Sequence, residues 1–236
     1  MKLLIVDSRI SKKCELSLLK EGYNLLKLPR DKNLGEAVGS HPDTVLFYLD
    51  ENLITTADYC DSASYIFSDI REFCPKTRVH FTSDERKALY PHDCILNALI
   101  VGKRIFCKSD TASKTLTNLA LSLGYEICHT SQGYPACSAL AFGNNVITAD
   151  RGLAKVMEAK GIDVTLISQG CISLPPHQYG FIGGASGVVG KKIYFFGNVM
   201  THPDGELICQ TIKKSGYTPI SLSDEPLRDF GGIIAL

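Results

Sequence analysis

Ser138-Ala-Leu-Ala-Phe-Gly143-Asn-Asn-Val-Ile-Thr148 reads as two short apolar strands joined by a tight turn. Gly followed by Asn is hairpin-turn chemistry, where positive φ must be tolerated. The pattern recurs in Thr44-Val-Leu-Phe-Tyr-Leu-Asp50-Glu-Asn-Leu-Ile-Thr55, in Asn97-Ala-Leu-Ile-Val-Gly102-Lys-Arg-Ile-Phe-Cys107 and in Ser186-Gly-Val-Val-Gly190-Lys-Lys-Ile-Tyr-Phe-Phe196. The turns fall at 50, 102, 143 and 190, spaced by 52, 41 and 47 residues, the scale of a repeated supersecondary unit.

A helix signal follows each hairpin. Leu116, Leu119, Ala120 and Leu123 share one helical face, and Leu153, Val156 and Met157 follow Asp150 as a candidate N-cap. Ile66, Ile70 and Phe73 repeat the spacing in the first hairpin's unit, and Leu207, Ile208 and Ile212 in the last. Three of these helices are expected to stop at Gly124, Gly161 and Gly216, and one at Pro75. A short strand comes next each time: Thr77 to Thr82, Tyr125 to Thr130, Asp163 to Ile167 and Tyr217 to Leu222. The unit is thus hairpin, helix, strand.

The chain ends supply a fifth copy. Gly231-Gly-Ile-Ile-Ala-Leu236 is a first strand with nothing after it, and Met1-Lys-Leu-Leu-Ile-Val-Asp7 a second strand with nothing before it. A helix through Cys14, Leu18 and Leu19, a stop at Gly22 and the strand Tyr23 to Leu28 complete it. The expected fold is α/β, a five-fold pseudosymmetric β/α-propeller of ββαβ units closed by pairing of the N- and C-terminal strands, with Leu236 and Met1 in neighbouring strands. Closure removes exposed strand edges. One domain over 1–236 is expected, with units at about 230–236 plus 1–28, 41–82, 93–130, 134–168 and 180–222. An open α/β sheet is the alternative; agreement among the copies on turn, helix stop and strand order favours the ring.

Composition narrows the function. The chain of 236 residues is 44% hydrophobic and 21% charged, which permits a sizeable core and excludes a disordered chain. Lys plus Arg equals Asp plus Glu at 25 each, so no whole-chain field draws nucleic acid or a membrane surface. No apolar run approaches the ~20 residues of a membrane span, and the N-terminus does not read as a signal peptide. Nine cysteines without a Cys-x-x-Cys pair are neither a disulfide framework nor a structural zinc site, which points to a reduced, cytoplasmic protein.

Five such units resemble the pentein superfamily of guanidino-group-modifying enzymes: arginine and agmatine deiminases, dimethylarginine dimethylaminohydrolases and amidinotransferases. The non-enzymatic ribosomal anti-association factor shares that fold. At motif level the chain is similar to a bacterial branch lacking the usual C-terminal catalytic Cys, through Ser40-His41-Pro42-Asp43, Tyr90-Pro91-His92-Asp93, Gly133-Tyr134-Pro135-Ala136-Cys137-Ser138, Gly180 to Gly187 and Asp229-Phe-Gly-Gly232. The resemblance implies a site at the ring centre, built by the loops leading into the first strands, 29–43, 83–96, 130–137, 168–185 and 223–232. It implies a small cationic guanidino or amino compound as partner and no cofactor.

Guanidino chemistry needs carboxylates for the planar cation, a thiolate nucleophile and an acid/base. Where the superfamily carries its thiol, shortly after a Gly-Gly pair, this chain has Ala235 after Gly231-Gly232. The catalytic candidates are Cys137 as a displaced thiol and His41 or His92 as acid/base. Each has a plainer reading, His41 as part of a turn around Pro42 and Cys137 as a packing residue. Substrate-binding candidates are Asp43, Asp93, Asn97, Tyr134, Asp224 and Asp229. No local ligand spacing supports a metal site, and none is expected. Three functions remain: a binding protein or degenerate enzyme for a cationic compound, a C–N hydrolase or amidinotransferase using the displaced thiol, and an interaction module like the ribosomal factor.

Overall fold

The computed structural model describes residues 2–236. It holds five three-stranded sheets, each with the same order and sense. Unit I comprises Ile234–Ala235, Leu3–Asp7 and Asn24–Leu28; unit II Phe47–Leu49, Asn52–Thr56 and Arg78–Thr82; unit III Leu99–Val101, Arg104–Cys107 and Glu126–His129. Unit IV comprises Ala139–Phe142, Asn145–Thr148 and Asp163–Leu166, and unit V Ser186–Val189, Lys192–Phe195 and Thr218–Ser221. In every unit the middle strand pairs antiparallel with the first and parallel with the third. A parallel pair requires a crossover, and a helix supplies it each time.

Local chemistry explains the repeats. The hairpin turns have positive φ at Asp50, Gly102, Gly143 and Gly190. Gly124, Gly161 and Gly216 end their helices in the left-handed region, where a side chain would be strained. Asp150 caps its helix by accepting from the Gly152 and Leu153 amides. The unit II helix departs from expectation: it breaks at Ala63 into Ala57–Ser62 and Ser64–Phe73. Phe73 and Leu207, expected on core faces, are exposed, because Ile66, Phe67 and Ile70, and Ile208 and Ile212, already fill those contacts.

The terminal strand lies antiparallel to the N-terminal one, Leu4 opposite Ala235 and Ile5 opposite Ile234. The Leu236 amide donates to the Leu3 carbonyl at 2.9 Å. Met1, named in the expected pairing, lies outside the described residues.

Strand alternation sends successive side chains to opposite faces, and each face meets a different neighbour. Leu3 and Ile5 of unit I pack with Leu53 and Phe67 of unit II. Ile54 of II packs with Ile105 of III, Phe106 of III with Val146 of IV, and Ile147 of IV with Ile193 of V. Tyr194 and Phe196 of V pack with Leu4 and Val6 of I. The first strands of all five units contribute to one narrow cavity of about 270 Å³. Two one-turn helices, Pro42–Val45 and Pro135–Ser138, each begin with Pro and lead directly into a first strand.

Candidate ligand pocket

His41, just before the first of those one-turn helices, and Cys137, within the second, reach the floor of a pocket of about 430 Å³, to which Asp229 also contributes. His41 immediately precedes Pro42 and is completely buried. Its Nε2 lies 3.7 Å from an Asp7 oxygen and its Nδ1 3.7 Å from an Asp229 oxygen. Both distances exceed hydrogen-bond reach, so neither ring nitrogen has a partner among the described residues. Burial first, and then the nearby Arg9 guanidinium, pushes His41 down to about 3, which leaves the imidazole neutral.

Asp229 is fixed from both sides. Its carboxylate accepts from the Phe181 amide at 2.9 Å and the Gly231 amide at 3.0 Å. A Cβ on Gly184 would overlap that carboxylate, and one on Gly231 would overlap the His41 side chain. Glycine at positions 184 and 231 thus permits close approach of backbone to site. Burial raises Asp229 to about 6.

The thiol of Cys137 donates to Asp43 Oδ2 at 2.8 Å. Asn97 holds both partners: its amide nitrogen donates to the Asp43 carbonyl at 3.0 Å and to Cys137 Sγ at 3.2 Å, while its oxygen accepts from the Ala136 amide at 2.9 Å. Burial, then the neighbouring Asp229, raises Asp43 to about 8. Burial and the Asp43 carboxylate push the Cys137 thiol well up. A nucleophile needs the thiolate, and this environment favours the thiol.

Asp93 and Tyr134 form the wall, joined by a hydrogen bond from the Tyr134 hydroxyl to Asp93 Oδ2. Asp93 Oδ1 is buried without a partner among the described residues, and burial raises this carboxyl. His177, Tyr179 and Phe181 complete the far side.

Seven of the nine expected site residues therefore gather at or immediately behind one pocket: His41, Asp43, Asp93, Asn97, Tyr134, Cys137 and Asp229. His92 instead borders a separate cavity beside Asp84 and Lys114. Asp224 is exposed and pairs with Lys13 at 2.8 Å. Ala235 sits within the terminal strand and borders the narrow cavity of the first strands.

Sequence reasoning missed Asp7 and Arg9. Asp7 ends an apolar strand and reads there only as its last residue, yet it is fully buried beside His41. Arg9 grips it at 2.6 Å through Nη2 and 2.9 Å through Nε, and also donates to the Glu36 and Ala37 carbonyls. A charge pair two residues apart at a strand's end, Asp7-Ser8-Arg9, was the available signal.

Solved structures with similar folds include a dimethylarginine dimethylaminohydrolase from Pseudomonas aeruginosa in complex with citrulline. It is 11% identical at a TM-score of 0.58, over 94% of this chain and 92% of that one. An agmatine deiminase from C. jejuni is 8% identical at 0.56, over 94% and 87%. SxtG, an amidinotransferase from Microseira wollei, is 12% identical at 0.56, over 98% and 93%. The chain has the pentein fold that these proteins share. No curated protein matches the sequence. Among the described residues no helix is long and apolar enough to cross a membrane. The sequence model of DUF6873, a family of unknown function, matches residues 5–234, and the chain belongs to that family.

Proposed function

We propose that the five units close one propeller over residues 1–236, and that its central pocket binds a small guanidino or amino cation in the cytoplasm. Asp229 is the floor partner, with Asp93 and Tyr134 on the wall. What supports closure is the cyclic order of the apolar contacts, in which unit V packs on unit I.

The observation carrying the ligand class is the charge imbalance. Asp7, Asp43 and Asp229 surround or adjoin His41, while the Arg9 guanidinium is already bound to Asp7. Carboxylates held out of water without a counter-cation take up protons or find cations, and Asp43 and Asp229 are both raised. A guanidinium presents paired N–H donors to such a carboxylate. Among the described residues no Lys or Arg lines the pocket, so a ligand carboxylate would lack a partner. A decarboxylated compound of the agmatine type therefore fits better than an amino acid.

A concave pocket of about 430 Å³ that holds buried carboxyls favours a small-molecule function over a purely macromolecular interaction module. Hydrolysis through Cys137 is the second reading, supported by that thiol's position in the pocket and opposed by its protonation. Isothermal titration with agmatine, arginine and butylamine tests the proposal. Agmatine should bind at least about tenfold more tightly than arginine, and Asp229→Asn should weaken it by about tenfold or more. No binding by any of the three overturns the ligand class. Release of urea or ammonia from agmatine, lost in Cys137→Ser, would establish the hydrolase instead.

A further inference from the structure

His41, Asp43 and Cys137 present an imidazole nitrogen, a carboxylate oxygen and a sulfur that all lie within 4.8 Å of one another. We infer that these three side chains are the protein ligands of a divalent transition-metal ion of the zinc class, with a further coordination position open toward the pocket. This goes beyond the binding of an organic cation and uses a different part of the floor.

Geometry suits it. Zinc bonds of about 2.0–2.3 Å set tetrahedral ligand atoms about 3.3–3.8 Å apart. The Cys137–Asp43 contact of 2.8 Å is tighter than that because a proton holds the two atoms together. Metal binding displaces two protons: the Cys137 S–H bond and the Asp43 carboxyl O–H bond break, both protons leave to solvent, and the sulfur and oxygen electron pairs go to the metal. The thiolate and the Asp43 carboxylate then balance the two positive charges.

His41 is the independent sign of a missing partner. A fully buried imidazole with both nitrogens unpartnered is costly, and here it points one nitrogen at Asp7 and the other at Asp229. Once one nitrogen ligates a metal, the other N–H faces a carboxylate at 3.7 Å, the carboxylate–histidine–metal arrangement that fixes ring orientation. Asn97 plays the same supporting part for the other two ligands, holding the Asp43 backbone and the Cys137 sulfur with one amide.

Donor type selects the metal class. Imidazole and thiolate suit Zn²⁺, Co²⁺ and their neighbours, whereas Mg²⁺ and Ca²⁺ require oxygen ligands. Three protein ligands with an open position characterise sites where the metal meets solvent or substrate. Charge does not set this ion against the organic ligand. Arg9 neutralises Asp7, and Asp229 and Asp93 remain for the cation.

The test is titration of the chelator-dialysed full chain with Co²⁺ and with Zn²⁺. One equivalent of Co²⁺ should produce visible bands of a tetrahedral ion together with a near-ultraviolet sulfur-to-metal charge-transfer band. Cys171 is exposed, so the charge-transfer band must persist in Cys171→Ser and vanish in Cys137→Ser. His41→Asn should weaken Zn²⁺ by more than about a hundredfold. Circular dichroism identifies any variant that has not folded, and the wild-type spectrum carries the test if one has not. Absence of the charge-transfer band in the wild type, or its survival in folded Cys137→Ser, overturns the inference. Agmatine titrated into the metal-free protein separates this outcome from that of the organic ligand.

Discussion

Raising the pH from 6.5 to 8 should destabilise this protein through Asp43. Its carboxyl is raised to about 8 in the folded chain, whereas an unfolded aspartate titrates near its ordinary value of about 3.9. Between those values the folded state holds a proton that the unfolded state has lost. A raised carboxyl contributes stability that is full at low pH and lost as pH climbs through the folded value. His41 has the opposite sign: it is pushed down to about 3, so its contribution is lost as pH falls below its ordinary value of about 6.5. Asp229, raised to about 6, has largely released its proton by pH 6.5. Above pH 6.5 Asp93 and the raised cysteines add to the decline and His202 opposes it, so the difference between wild type and Asp43→Asn isolates Asp43. One proton at about 1.4 kcal/mol per pH unit, tapering toward the midpoint at about 8, gives a loss of about 1.5 kcal/mol. Urea denaturation of the chelator-dialysed, metal-free protein at several pH values reads this as a falling midpoint at constant slope. Asp43→Asn should flatten the profile. A wild-type midpoint that stays level from 6.5 to 8, or the same decline in Asp43→Asn, would refute the reasoning.

Three more outcomes follow from individual contacts. Arg86 and Asp31 form a buried ion pair between the loops before units II and III, so Arg86→Met should cost about 3–5 kcal/mol in urea denaturation, and a loss below about 1 kcal/mol would contradict the pairing. In native protein at pH 7.5, iodoacetamide should modify exposed Cys171 first and leave Cys137 untouched until unfolding, as mass spectrometry would show; early labelling of Cys137 would mean a thiolate is present. Gly184→Ala places a methyl group against the Asp229 carboxylate, and agmatine affinity should drop by about tenfold or more in a folded variant. Unchanged affinity would remove Asp229 from the binding floor.

The repeated unit was legible because its signals are local and occur several times. Gly143 and Gly190 set turns, Asp150 caps, Gly161 and Gly216 stop helices, and the strands follow within a few residues of where the pattern puts them. The helix break at Ala63 was not legible, since Ile66 and Ile70 keep their spacing on either reading. Site residues were found where a short motif couples chemistry to a turn, as in His41-Pro42-Asp43 and Tyr134-Pro135-Ala136-Cys137. Asp7 and Arg9 escaped because an acidic residue at the end of an apolar strand looks solvated, and only the approach of His41, from the loop before unit II, together with the Arg9 clamp reveals its burial. Asp224 misled for the opposite reason: its loop leads into the site, but its side chain meets Lys13 at the surface. The His41–Asp43–Cys137 triangle was invisible because Cys137 lies far along the chain and has no ligand spacing with the other two.

The most direct measurement is a crystal structure of the full chain soaked with agmatine. Guanidinium density within hydrogen-bond distance of Asp229, with the aliphatic chain running toward Asp93 and Tyr134, is the predicted result. Density only in the neighbouring cavity bordered by Gln132 and Gln169, or an agmatine seated with its guanidinium away from every buried carboxylate, would contradict it.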